Sequence, residues 1–124
     1  MNYAIIITVY YETVNTLKLC RRLCELGADN IVIVNDGAKL SERYSAEIIS
    51  MGSHMINLAK NEGKGASLKA GIRYAHKKIY NIKGFITVDS DGQHSAEDVI
   101  KVANAMDLRP DTLVLGKRDM RKAS

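Results

Sequence analysis

Two rhythms of apolar residues alternate along the chain. Ala4-Ile5-Ile6-Ile7-Thr8-Val9 is a β-branched run with no polar face, the pattern of a strand buried on both sides in a parallel sheet. From Glu12 to Leu26 the apolar residues Val14, Leu17, Leu19, Leu23 and Leu26 recur at helical spacing, and Gly27 ends the helix. Ile31-Val32-Ile33-Val34 is a second buried strand, closed by the turn tripeptide Asn35-Asp36-Gly37. A helix is expected from about Ser41, its N-cap, to Met51, then a strand over His54-Met55-Ile56-Asn57-Leu58. A long helix follows from Gly63 to Lys78, with Ala66, Leu68, Ala70, Ile72 and Ala75 as its apolar positions. Gly84-Phe85-Ile86-Thr87-Val88 is a fourth strand. Ser95, with Asp98 three residues on, caps a helix to about Met106, and Thr112-Leu113-Val114-Leu115-Gly116 is a fifth strand.

Strands alternating with helices predict an α/β domain with a mainly parallel sheet covered on both faces. With 124 residues the chain is expected to be a single domain over 1–124. Ligands of such sheets sit outside the carboxyl ends of the strands. That rule directs attention to Tyr10–Glu12, Asn35–Gly37, Asn61–Gly65 and Asp89–His94.

Composition adds mainly exclusions. The net charge of +4 comes from basic residues scattered along the chain, which read as solvated faces. One Phe and six Tyr, with no aromatic-studded basic strand, argue against nucleic acid as a partner. Cys20 and Cys24 are too few for a zinc site and poorly spaced for a disulfide within one helix, so they read as small buried or half-buried thiols. No basic leader opens the sequence, and the apolar run from Tyr3 to Tyr11 is far short of a membrane span. The expected location is cytoplasmic, with peripheral attachment at a membrane surface left open.

Chemistry is carried by the strand ends. Asp89 and Asp91, two apart after a buried strand, would point to the same side of an extended segment. Like charges so placed favour a cation between them, and carboxylate oxygens suit Mg²⁺ or Mn²⁺. Gln93 offers a neutral oxygen nearby; a merely polar turn is the competing reading. Asp36 can accept hydrogen bonds from a ribose or a base N–H, or instead from its own turn backbone. Asn61-Glu62-Gly63-Lys64-Gly65-Ala66 matches neither Walker A nor G-x-G-x-x-G. It is a glycine-rich turn opening a helix, where backbone N–H groups and Lys64 can face an anion, or simply a connection. His54, His76 and His94 read as structural, exposed or bystander residues.

Together the segments Ile31–Gly37, Asn61–Ile72 and Phe85–Asp98 resemble glycosyltransferase family 2, and within it the dolichyl- or polyprenyl-phosphate sugar synthases. The resemblance spans nearly the whole chain. It implies a GT-A, Rossmann-like fold that binds a UDP- or GDP-linked sugar with Mg²⁺ or Mn²⁺ and transfers the sugar with inversion to a lipid phosphate or glycan. By that resemblance Asp36 contacts the base, Asp89 the ribose or metal, and Asp91 and Gln93 the metal. Tyr10 and Glu12 line the nucleotide, and Lys64 helps to hold it. Two departures are visible: Thr8-Val9-Tyr10-Tyr11-Glu12 lacks the family's Pro and Asn, and Asp36-Gly37-Ala38 replaces Asp-Gly-Ser. The sequence stops soon after Gly116-Lys117-Arg118. The acceptor half and its general base are therefore expected to be absent, and the apolar last strand is expected to pair with another copy or else to rearrange and pack against the fourth strand. A non-catalytic nucleotide-sugar-binding fragment and a nucleotidyltransferase remain as alternative readings.

Overall fold

The computed structural model describes residues 3–10, 14–37, 40–60, 62–79, 82–89 and 95–108. They form β1 (Tyr3–Val9), α1 (Val14–Glu25), β2 (Ile31–Asn35), α2 (Glu42–Ser50), β3 (His54–Asn57), α3 (Lys64–Lys78), β4 (Gly84–Asp89) and α4 (Ala96–Leu108). The sheet is parallel throughout, in the order β3-β2-β1-β4. The α/β fold, a four-stranded Rossmann-like piece of the GT-A plan, is the expected one. The expected strand at Thr112–Gly116 lies outside the described residues.

Every residue of β1 is buried, because this strand lies between β2 and β4 and helices cover both of its sides. Ile5, Ile7 and Val9 point into a large core with Ile31 and Ile33 of β2, Leu19, Cys20 and Leu23 of α1, Tyr44 and Ile48 of α2, and Val99, Ala103 and Met106 of α4. Ala4 and Ile6 point the other way, with Val32 and Val34, into a smaller core under α3 around Ala75. The even and odd positions of one strand thus feed two cores, which is why its sequence carries no polar face.

Two helices bury faces that coincide only in part with the expected ones. In α1 the buried positions are Thr16, Leu19, Cys20 and Leu23, spaced i, i+3, i+4, i+7. Val14, counted in the apolar stripe, is 66% exposed, since it falls off that face. In α3 the buried positions are Ser67, Gly71 and Ala75, and Leu68 and Ile72 pack only at the flank. Close approach explains this choice. A Cβ on Gly71 would stand 2.5 Å from Ile6 Cγ2 and 2.9 Å from Val34 Cγ2, so α3 sits on β1 and β2 where no larger residue fits.

The helix ends follow their sequence signals. Ser41 Oγ accepts from Tyr44 N at 3.1 Å, and Ser95 Oγ from Asp98 N at 3.1 Å, each satisfying an amide of a first turn. Gly27 closes α1, with Gly27 N donating to Cys24 O and Ala28 N to Leu23 O. On the surface, Arg22 ties α1 to α4 through Glu97 at 2.9 Å, and Arg21 ties α1 to α2 through Glu47 at 3.2 Å.

The cysteines are free thiols as expected, Cys20 buried and Cys24 half-buried. Cys20 Sγ lies 3.2 Å from Ser53 Oγ, and burial pushes its thiol up to about 11. His54 Nδ1 shares a 3.0 Å hydrogen bond with the Tyr74 hydroxyl, a structural pairing of β3 with α3. Among the described residues no helix is long and apolar enough to cross a membrane.

Candidate nucleotide-sugar site at the strand ends

The chain steps from β1 outward to β2 and β3, then returns across the sheet to place β4 on the free side of β1. The reversal of chain direction across the sheet falls between β1 and β4, and the carboxyl ends of strands at such a reversal are where open α/β sheets bind their ligands. Tyr10 follows β1 there, half-buried. Asp89 is the last residue of β4 and stands in register with Thr8 of β1. The Asp89 side chain lies outside the described residues, as do Glu12, Asp91 and Gln93. The structure therefore brings the backbones of Tyr10 and Asp89 to adjacent strand ends. Among the described residues no three His, Cys, Asp or Glu side chains gather into a metal centre.

Asp36 shows how the neighbouring corner is built. Its backbone N–H donates to Val9 O at 2.8 Å, latching the end of β2 to the end of β1. Its side chain is almost wholly buried, at 1% exposure. Oδ1 accepts from Glu62 N at 2.7 Å and Oδ2 from Gly63 N at 3.2 Å. The reading in which Asp36 bonds its own turn gives way to this one, because the chain returns 26 residues later with amides in need of an acceptor. Gly63 is the N-cap of α3, has φ +94°, and carries no side chain to cap the helix. A carboxylate reaching over from β2 instead fixes the two amides just before the helix, and the positive end of the helix dipole favours its charge. Each such charge-assisted bond contributes about 1.5–3 kcal/mol.

The glycine-rich turn is thereby fixed in place. Ser67 donates both its backbone N–H and its hydroxyl to Gly63 O at 3.0 Å, closing the first turn of α3. Lys64, exposed, is the first residue of that turn, so Asp36 holds the peptide immediately before it.

Three residues at this end carry no obvious motif. Asn35 Nδ2 donates to Asn57 Oδ1 at 3.0 Å across the ends of β2 and β3, where the two are register partners. The signal available beforehand was an Asn closing each of two neighbouring strands. Thr8 is fully buried, and its Oγ1 has no hydrogen-bond partner among the described residues. It lies between Val34 and Asp89 in the sheet, and a hydroxyl inside an apolar run was the signal for it.

A parallel sheet covered on both faces, with an acidic residue closing β2 and another closing β4, defines a Rossmann-like ligand-binding domain of the GT-A type. The profile of glycosyl transferase family 2 matches residues 4–124, and the chain belongs to that family. It is also 35% identical, over 113 residues, to the uncharacterized protein MJ1222 of Methanocaldococcus jannaschii. That match covers 90% of this chain and 42% of the relative, so the chain spans less than half the length of the curated protein it matches. Family membership favours the glycosyltransferase reading over the nucleotidyltransferase alternative.

Proposed function

We propose that this chain is the nucleotide-diphospho-sugar-binding part of an inverting, metal-dependent glycosyltransferase, of the group that glycosylates a polyprenyl phosphate. The observation that carries the reading is the clustering of Tyr10, Asp36, the Gly63–Lys64 corner and Asp89 at the carboxyl ends of adjacent strands, in a family whose donors are nucleotide sugars. Tyr10, Glu12, Asp36 and Lys64 would hold the nucleotide. Asp36 would act at least in part through the backbone it fixes, because both of its oxygens accept amide bonds. Asp89, Asp91 and Gln93 offer the hard oxygen donors that Mg²⁺ or Mn²⁺ prefers, and such an ion would offset the charge of the departing diphosphate. Lys64, at the positive end of α3, would add to that field. A lipid-phosphate acceptor is already ionised and needs little help from a base, so the donor side carries most of the chemistry assigned here.

The screen that tests this reading is a thermal-shift series with UDP, GDP and their sugars, with and without Mn²⁺. The expected result is stabilisation by one nucleotide series, larger with Mn²⁺, as mass action requires of a ligand bound by the folded state. No shift with any of them would remove the reading.

A further inference from the structure

The basic residues of the two faces differ in their company. All the ion pairs drawn between described residues lie on α1, α2 and α4, where Arg21, Arg22 and Arg43 meet Glu25, Glu47 and Glu97. The opposite face is covered by α3, and α3 contains no Asp or Glu. Lys69, Arg73 and Lys77 stand at i, i+4 and i+8 on its exposed side, opposite the buried row Ser67, Gly71 and Ala75. Lys64 and Lys78 are exposed at the ends of the helix, and Lys60 and Lys83 flank it in the chain. Like charges at i, i+4 weaken a helix, and no carboxylate among the described residues pairs with this row. The row runs along a helix of about 22 Å.

We infer that the α3 face is a docking surface for an anionic membrane. The choice of a lipid surface over another polyanion rests partly on the proposed polyprenyl-phosphate acceptor. It rests also on the helix itself. Its outward residues Lys69, Arg73, His76 and Lys77 include no Phe, Tyr or Trp, the large rings of a base-stacking platform. The row is a convex ridge of flexible cations, suited to a diffuse layer of headgroups. The same helix begins at the strand-end corner with Gly63 and Lys64, so a membrane lying along it would bring a lipid phosphate beside the donor site.

The test is vesicle co-sedimentation of the intact chain, with phosphatidylcholine alone or mixed with phosphatidylglycerol. Salt is varied from about 0.1 M to about 1 M, across which the screening length falls from about 10 Å to about 3 Å. A triple reversal Lys69→Glu, Arg73→Glu, Lys77→Glu is compared with the charge-matched Lys18→Glu, Arg43→Glu, Lys101→Glu on the other face, each checked for fold by circular dichroism. The inference expects binding to the anionic vesicles alone, lost at high salt, and weakened about tenfold or more by the α3 reversal while the other variant keeps most of it. Absence of binding to anionic vesicles would overturn it, and so would equal loss in both variants. Preferential, α3-dependent binding to single-stranded RNA in the same buffers would also overturn it, by making the face a nucleic-acid surface. Nucleotide thermal shifts on the same proteins separate the two claims. Vesicle binding without a nucleotide response sinks the proposed function, and the reverse sinks the docking surface.

Discussion

The two faces of the sheet are held in different ways. One carries three helices over a broad core of large side chains, from Tyr3, Ile5 and Ile7 to Ile48 and Met106, with ion pairs around its rim. The other carries α3 alone, over a narrow core whose helix side is made of Ser67, Gly71 and Ala75. The first face gains its stability from apolar area. The second relies more on close approach and on one buried carboxylate at the head of the helix, with half-buried side chains such as Leu68, Ile72 and Phe85 packed at its margin. Removing bulk should therefore be costly on the first face, and adding bulk costly on the second. The strand ends that form the candidate site lie where the second arrangement begins.

The sharpest way to break this contrast is Gly71→Ala. In an exposed helix position that change would stabilise by up to about 1 kcal/mol. Here the new methyl would meet two fully buried side chains, Ile6 and Val34, inside van der Waals distance. A loss of about 1–3 kcal/mol in urea unfolding is expected. A gain would mean that α3 can lift off the sheet at little cost.

Asp36→Asn sharpens the contrast at the head of α3. Loss of the charge-assisted bonds to Glu62 N and Gly63 N should lower stability by about 1–3 kcal/mol. Hydrogen exchange should quicken at those two amides and in the first turn of α3, and leave β1 protected. Unchanged protection at residues 62 and 63 would show that the corner stands without its clamp.

A smaller effect is expected from the thiols on the broad face. Burial raises the Cys20 thiol from 9.0 to about 11. Between those values the unfolded chain has released a proton that the folded chain retains. Stability should therefore fall as pH rises through that window, and Cys20→Ala should flatten part of the slope. Disulfide-exchange reagents at neutral pH should label the half-buried Cys24 well before Cys20. Equal labelling rates would contradict the packing of Cys20 against Ser53.

Much of the architecture was legible in the sequence, for a physical reason. A parallel strand buried on both faces has to be apolar at every position, so Ala4–Val9 and Ile31–Val34 announced themselves, and Ser41 and Ser95 marked helix starts. The faces of α1 and α3 were harder to read. Burial there selects small or mildly polar residues, Thr16, Cys20, Ser67 and Gly71, to which an apolar pattern gives no weight. Asp36 was legible as a residue that matters at a strand end. Its partners were not, because they lie 26 and 27 residues away and are backbone amides, which look alike in any sequence. The gathering of Lys69, Arg73 and Lys77 was hidden in the same way, since their significance depends on which side of α3 faces outward. Glu12, Asp91, Gln93 and the strand expected at Thr112–Gly116 lie outside the described residues, and so does the self-association expected of that strand.

The central claim is that a metal-assisted nucleotide site lies at the carboxyl ends of β1 and β4. Calorimetric titration of the nucleoside diphosphate chosen by the thermal-shift screen, in Mn²⁺, into the parent chain and into Asp91→Ala tests it most directly. The account predicts that the parent binds and that the variant, with its circular dichroism spectrum unchanged, loses the Mn²⁺-dependent part of the affinity. Mn²⁺-assisted binding of equal strength in both proteins would contradict it.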